Sequence, residues 1–397
     1  MIMPEISNLR ADTPACEQLI HLNNAGASLT PLAVQNAVKD YLDFEAATGG
    51  YEAADVKSVA IADYYPALAE LLHTLPANIA WAASATDGYA RALSFVDWKP
   101  GDILLTTNND YVSNQLAFFS LRDRFGVQII RARDLPQGGV NPADMTRLIE
   151  QFRPKMVAVT HIPTNSGLVQ PVEAIGKVCR SFNTLYLVDA CQSAGQWVLD
   201  VTAIGCDFLT GTMRKFMRGP RGAGFMYVSD RVLHSPQTML FPDMTGANWT
   251  GPDTWENAST AARFEYFEHS PAVKIGSAVA VRYLLSVGQA WVQERTQLLA
   301  AGLREQLREI PGARILDEGE VLSGIVTVSH PIFHPVKLRD WLREQKVNTS
   351  VTAIGMARID FGRKGVEMAL RLSPHYYNTR EELSVAVQLI KKFAISG

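Results

Sequence analysis

Lys215 stands in the segment TGTMRKFMRGPRGAGFMYV, where an apolar strand ending at Gly211 gives way to a loop crowded with cations and glycines. A lysine so placed acts as nucleophile or base when its amine is neutral, and the flanking Arg214 and Arg218 favour that form by like-charge repulsion. Most lysines are solvated surface charges, so this one needs company. Asp189 provides it: the residue ends the apolar run LYLVD, 26 positions before Lys215. That interval holds one helix and one strand, which returns the chain to the same end of a sheet. A carboxylate buried there requires a partner, because an unpaired buried charge is expensive. A helix N-terminus, a structural cation or the protonated nitrogen of a ligand would each serve. The triplet Gly219, Gly222 and Gly224 imitates a dinucleotide-binding loop, yet it precedes a strand where that fingerprint must follow one.

Three further places carry chemistry. In AASATDGYARAL, small residues and hydroxyls open a helical pattern, so the amides near Ser84, Ala85 and Thr86 can hold an anion; N-capping by Thr86 or Asp87 is the plain alternative. Tyr111 follows the strand DILLT at the same predicted face, where its ring would stack on a flat ligand or enter the core. Arg371 lies on the apolar strand ALRLS and needs a carboxylate, either a structural acid or that of a substrate. His330 and His334 flank Pro331 in a strand-turn setting and cannot share a helical face, so no metal site is expected.

The elements that position these residues follow from periodicity. From about residue 100, the short apolar runs DILLT, VQIIRA, MVAVTHI, LYLVDA, DFLTGT and GFMYV alternate with the amphipathic stretches SNQLAFFSLRDRF, PADMTRLIEQF and PVEAIGKVCRSF. Such spacing predicts parallel strands joined by crossover helices, an α/β domain whose ligands bind at the carboxyl ends of the strands. After GFMYV, the loop SPQTMLFPDMTGANWTGPDTWENAST reads as a domain linker, with Trp249 a candidate substrate wall. A long helical pattern then runs to about residue 308. The strand candidates GIVTVSH, RIDF and ALRLS surround the helical VKLRDWLREQ, and Thr379 with Glu382 forms a capping box before the last helix. The expected organisation is an N-terminal arm (1–22) on the small domain, a large domain (23–265), and a linker helix with a small α+β domain (266–397).

Composition bounds the partners. With 397 residues, 47% hydrophobic and 19% charged, the chain can bury two sizeable cores. A net charge of −3 with mixed signs offers no basic stripe for nucleic acid or an anionic membrane, so a small molecule is the expected ligand. No run of about 18 apolar residues and no secretory leader is evident, and Cys16, Cys179, Cys191 and Cys206 are scattered without metal-type pairing. A reduced, cytoplasmic protein without disulfides is the economical expectation.

In order along the chain, HLNNAGASLTP, SATDG, HIPTNSGLVQPV, LVDACQSAGQ, TMRKFMRGPRG and RLSPHYYNT together resemble the class V aminotransferases, pyridoxal-phosphate enzymes of fold type I. That group contains cysteine desulfurases, selenocysteine lyases, kynureninases, isopenicillin N epimerase and the ergothioneine-pathway sulfoxide lyases. The resemblance implies pyridoxal 5'-phosphate held as a Schiff base on Lys215, with Asp189 on the pyridine nitrogen and Gln192 near the phenolic oxygen. It implies Tyr111 stacked on the ring, Ala85, Thr86, Thr212 and Arg214 at the phosphate, Thr164 and Asn165 lining the pocket, and Arg371 gripping the substrate carboxylate. A homodimer is also implied, with residues from Arg263 to Ser270 reaching the neighbouring site.

One departure is informative. Cysteine desulfurases carry a persulfide-forming Cys on a loop shortly before the carboxylate-binding arginine, and SVTAIGMARIDFGRKGVEMALR contains none. The lysine segment and the HIPTN loop look closer to the sulfoxide lyases and the epimerase. The resemblance therefore points to a C–S lyase acting on a cysteine conjugate or cysteine sulfoxide, as a hercynylcysteine sulfoxide lyase does, and giving pyruvate and ammonia through an aminoacrylate. An amino-acid epimerase or an aminotransferase is the rival within the same chemistry. A non-catalytic pyridoxal-binding sensor or scaffold is the rival outside it.

Overall fold

The structure, a computed structural model, describes residues 4–396 and the side chains of residues 4–394; the first three residues of the expected arm lie outside them. Seven strands form the main sheet: β1 (Ile79–Ala82), β2 (Ile103–Thr106), β3 (Gln128–Arg131), β4 (Met156–Thr160), β5 (Leu185–Asp189), β6 (Phe208–Thr212) and β7 (Gly224–Val228). Their order is β1-β7-β6-β5-β4-β2-β3, with β7 antiparallel to both of its neighbours and every other pairing parallel. The central runs MVAVT and LYLVD are apolar up to their last residue because both faces of the sheet are covered. Val157, Val159, Tyr186, Val188, Leu209 and Phe225 point into a core shared with helices Tyr64–Leu72, Pro142–Phe152 and Val172–Ser181. The alternate residues Met156, Ala158, Leu187, Phe208 and Met226 face Tyr89, Leu93 and Phe118 on helices Ala85–Ser94 and Val112–Phe125. This alternation is the two-residue period of a strand expressed on two buried faces.

The small domain is an antiparallel sheet of Arg314–Ile315, Val326–Ser329, Met368–Leu372 and Ser350–Ala353, in that spatial order. Leu303, Leu307, Leu338, Leu342, Leu383 and Ile390 from three helices cover it. The arm joins this domain: Ile20–His21 pair in parallel with Val347–Asn348, and Leu22 enters its core. Glu382 and Thr379 exchange backbone-to-side-chain hydrogen bonds at 3.1 and 3.2 Å, completing the expected capping box.

Four readings change. RIDF is not a strand; it begins helix Arg358–Lys364, which an Asp360–Lys364 pair at 2.8 Å holds across one turn and which Gly365, at φ 65°, ends. The long helical pattern is two helices, Pro271–Val287 and Gln289–Arg308, bent by 80° at Gly288. Gly288 adopts φ 94°, which breaks the first helix. That first helix packs its Ala278, Val281 and Leu284 into the large-domain core, so it is part of that domain rather than a linker. The presumed linker loop folds into an antiparallel hairpin, Ala247–Gly251 with Thr254–Asn257.

Candidate active site

The carboxyl ends of β2, β4, β5 and β6 lie side by side, and register places Thr160 beside Asp189 and Asp189 beside Thr210. The chain therefore delivers Thr106–Tyr111, Thr160–Asn165, Asp189–Gln192 and Thr212–Lys215 to one rim. Asp189 is buried; its Oδ1 accepts from the Cys191 amide at 2.9 Å and its Oδ2 from Asn114 Nδ2 at 3.0 Å. Lys215 is also buried and forms no ion pair among the described residues. Burial lowers its amine from the ordinary lysine range, and Arg214 and Arg371 add to that effect against the pull of Asp189. Arg218, expected beside Lys215, points elsewhere: its guanidinium bonds Tyr376, Thr13 and the Leu29 carbonyl, clamping the arm to the small domain. The cations that face Lys215 are Arg214 and, arriving from the other domain, Arg371.

Arg371 is the most informative side chain. Its Nη1 donates to the Thr164 carbonyl at 2.9 Å and to the Thr164 hydroxyl at 2.7 Å, while its Nε is buried with no partner. No carboxylate among the described residues pairs with it. Burial first, then Arg214, lowers it to about 10, so it stays cationic at neutral pH. Gln192 joins the same cluster, its Nε2 donating to Thr164 Oγ1 at 2.9 Å and to the Ala25 carbonyl at 3.1 Å, with Oε1 buried and unpartnered. Tyr111 is the N-cap of its helix and half-buried.

A second sub-site lies where β1 and β6 end. Ser84, not Thr86 or Asp87, caps helix Ala85–Ser94 by accepting from the Asp87 amide at 3.1 Å, leaving the first-turn amides of Ala85 and Thr86 directed outward. Gly224 pairs with both Ala82 and Thr212, and a Cβ there would lie 2.5 Å from the Ser84 carbonyl carbon and 2.7 Å from the Ala85 nitrogen. The absent side chain lets the helix start sit against Thr212. Arg214, without a carboxylate partner among the described residues, bonds the Gly26 carbonyl beside this cradle.

Asn165 is fully buried; its Nδ2 donates to Asp360 Oδ2 at 2.9 Å, fastening the pocket loop to the small domain, while its Oδ1 is buried with no partner. One expectation is corrected. Trp249 stands on the exposed hairpin, and its indole reaches only the Pro252 carbonyl, so it does not wall this subunit's pocket. Sequence reasoning also passed over Cys191, Asp110 and Asn114. Cys191 sits between Asp189 and Lys215, where burial and then Asp189 push its thiol up to about 12. Its place two residues after Asp189 was the available signal.

An anion cradle at a helix start, a buried acid, a lysine biased toward its neutral form and an unpaired buried arginine fit one molecule bearing a phosphate and a basic ring nitrogen, beside a second bearing a carboxylate. The unpartnered Arg371 Nε, the unpartnered Gln192 Oε1 and the first-turn amides of Ala85 and Thr86 are what such a pair would meet. This is the donor set of a pyridoxal-phosphate enzyme on a parallel α/β sheet. The chain belongs to the class-V aminotransferase family, whose model matches residues 20–385 and whose members are pyridoxal-phosphate dependent. It is 26% identical to a probable cysteine desulfurase of Methanothermobacter thermautotrophicus over the whole of both chains. It is 25% identical to a probable hercynylcysteine sulfoxide lyase of Mycobacterium tuberculosis, covering 94% of this chain and 89% of that one. The fold matches the apo cysteine desulfurase of Thermococcus onnurineus NA1 with a TM-score of 0.91 and 21% identity, over 100% of this chain and 99% of that one.

Proposed function

We propose that this enzyme is a C–S lyase that releases pyruvate and ammonia from a cysteine conjugate or cysteine sulfoxide. The observation that carries this reading is the segment before Arg371. Where a sulfur-accepting thiol would be needed, residues 350–371 hold no cysteine, and the helix Arg358–Lys364 within them is tied to the pocket loop through Asp360 and Asn165. The thiol beside Lys215, that of Cys191, is held protonated well above neutral pH and is a poor sulfur acceptor. Similarity to the sulfoxide lyase supports the same class of substrate.

Pyridoxal phosphate, when bound, supplies an electron sink conjugated to the substrate Cα. The chain supplies the rest. The amides of Ala85 and Thr86, with Thr212 and Arg214, would hold the phosphate, and Asp189 would keep the proton on the ring nitrogen. Tyr111 would cover the ring, while Gln192 and Thr164 would border its phenolic oxygen. Arg371, with Nε free, would take the substrate carboxylate and fix which Cα bond stands perpendicular to the ring. Lys215, biased toward neutral by burial and by Arg214 and Arg371, would remove the Cα proton so that the β-sulfur group can leave.

The test is product analysis. Purified enzyme given S-substituted cysteines and their sulfoxides should yield pyruvate and ammonia without an added 2-oxo acid. Alanine with sulfane sulfur from free cysteine, seen as sulfide only once a thiol reductant is added, racemised substrate, or a strict need for a 2-oxo acid would replace this reading.

A further inference from the structure

Asp189 is tied through one amide to a second buried acid. Asn114 Nδ2 donates at 3.0 Å to Asp189 Oδ2 and at 3.0 Å to Asp110 Oδ1, so both of its hydrogens serve carboxylates. Around Asp110 gather the Tyr111 amide at 2.6 Å, the Thr106 hydroxyl at 3.0 Å, the Thr160 hydroxyl and Gln115 Nε2 at 3.4 Å. Gln115 in turn accepts from Arg131 Nη2 at 2.5 Å, which links the cluster to a cation only through an amide. Neither Asp110 nor Asp189 forms an ion pair among the described residues; the buried phenol of Tyr89 faces both, Lys215 and Cys191 face Asp189, Arg131 faces Asp110 from beyond Gln115, and burial raises the Asp110 carboxyl from its ordinary range. Two acids in a buried pocket with no cation in contact are expensive to keep charged. A positive charge placed at the open side of Asp189 would offset both.

We propose that Asp110 and Asn114 are positioning residues that act through Asp189: Asn114 fixes the carboxylate toward the ring nitrogen of pyridoxal phosphate, and the charge of Asp110 behind it keeps that nitrogen protonated. The inference rests on the cofactor reading above. Five donors converge on Asp110, which suits an acceptor-only carboxylate. Removing its charge lowers the proton affinity of the ring nitrogen, because a negative neighbour stabilises the cationic form. Removing the Asn114 amide frees Asp189 to turn and draws the shared proton away from the ring.

The experiment is ¹⁵N NMR of holoenzyme loaded with pyridoxal phosphate labelled at the ring nitrogen, followed from pH 6 to 9, with melting temperatures measured alongside. In the wild type, the nitrogen should remain protonated throughout. In Asp110→Asn and Asn114→Ala, its signal should move toward the unprotonated position, with proton affinity reduced at least about tenfold. Should Asp110→Asn fail to fold, Asn114→Ala decides. Variants that bind the label and keep the wild-type titration overturn the positioning role, whatever happens to their melting temperature. A wild type that takes up no label overturns the cofactor reading and this inference together.

Discussion

Lys215, Arg214 and Arg371 meet at one buried rim beside Asp189, with Asp110 behind it, and no ion pair joins the two sets among the described residues, an arrangement that defines what they can bind. Replacing Lys215 by Ala should abolish the borohydride-reducible yellow chromophore of the holoenzyme; a fully coloured variant with the label on another lysine would place the covalent site elsewhere. Arg371→Gln should lower kcat/KM roughly a hundredfold, mainly through KM, since a charge-assisted pair to a carboxylate is worth about 2–3 kcal/mol. Steady-state kinetics on an S-substituted cysteine checks this. His161 offers a pH prediction. Burial pushes its imidazole down to about 4, and its Nδ1 has no partner. It is neutral in the fold, whereas the unfolded chain takes up a proton below about 6.5, so this residue makes stability fall as pH drops from 6.5 to 4 and adds no further loss below that. The loss attributable to it is roughly 3 kcal/mol. Urea unfolding of His161→Gln should show a shallower decline over that window than the wild type; equal slopes would remove His161 as the cause.

At the scale of elements, the site depends on how closely backbone segments approach. Gly224 is the clearest case, because a methyl there meets main-chain atoms of Ser84 and Ala85 that cannot move without tilting the helix start. Gly224→Ala should weaken cofactor retention about tenfold or more, in line with the ~1–3 kcal/mol that overpacking costs. Titrating the apoprotein with pyridoxal phosphate measures it, and unchanged affinity would mean that the helix start does not hold the phosphate. The strands and crossover helices were legible because apolar runs of five residues alternate with amphipathic stretches. RIDF misled because four residues carry too little periodicity to separate a strand from the first turn of a helix. The Asp360–Lys364 pair one turn apart and the stop at Gly365 are helical signals that only a longer window shows.

At the scale of the molecule, exposed apolar side chains concentrate between residues 240 and 267: Leu240, Phe241, Met244, Trp249, Trp255, Tyr266 and Phe267. Such a group marks an interaction surface, which accords with the homodimer proposed from the family resemblance. Sedimentation should find a dimer, and Phe241→Asp combined with Trp249→Asp should yield a monomer; a monomeric wild type would discard the assembly. The sequence alone carried the mostly parallel sheet, the lysine and the acid at its rim, the helix start at Ala85 and the arginine on the second domain. Each of these rests on local periodicity or on a residue's place within its own element. Tertiary structure decided the rest. Arg218 and Arg371 are both basic residues in apolar surroundings, and only the docking of the small domain turns one toward the arm and the other toward Lys215. The same holds for Asn165 and Asn114: which carboxylate each amide meets, Asp360 or Asp189, is set by strand register and helix packing between segments far apart in the chain. Local sequence specifies what a side chain can do, while the packing of distant elements selects the partner it does it with.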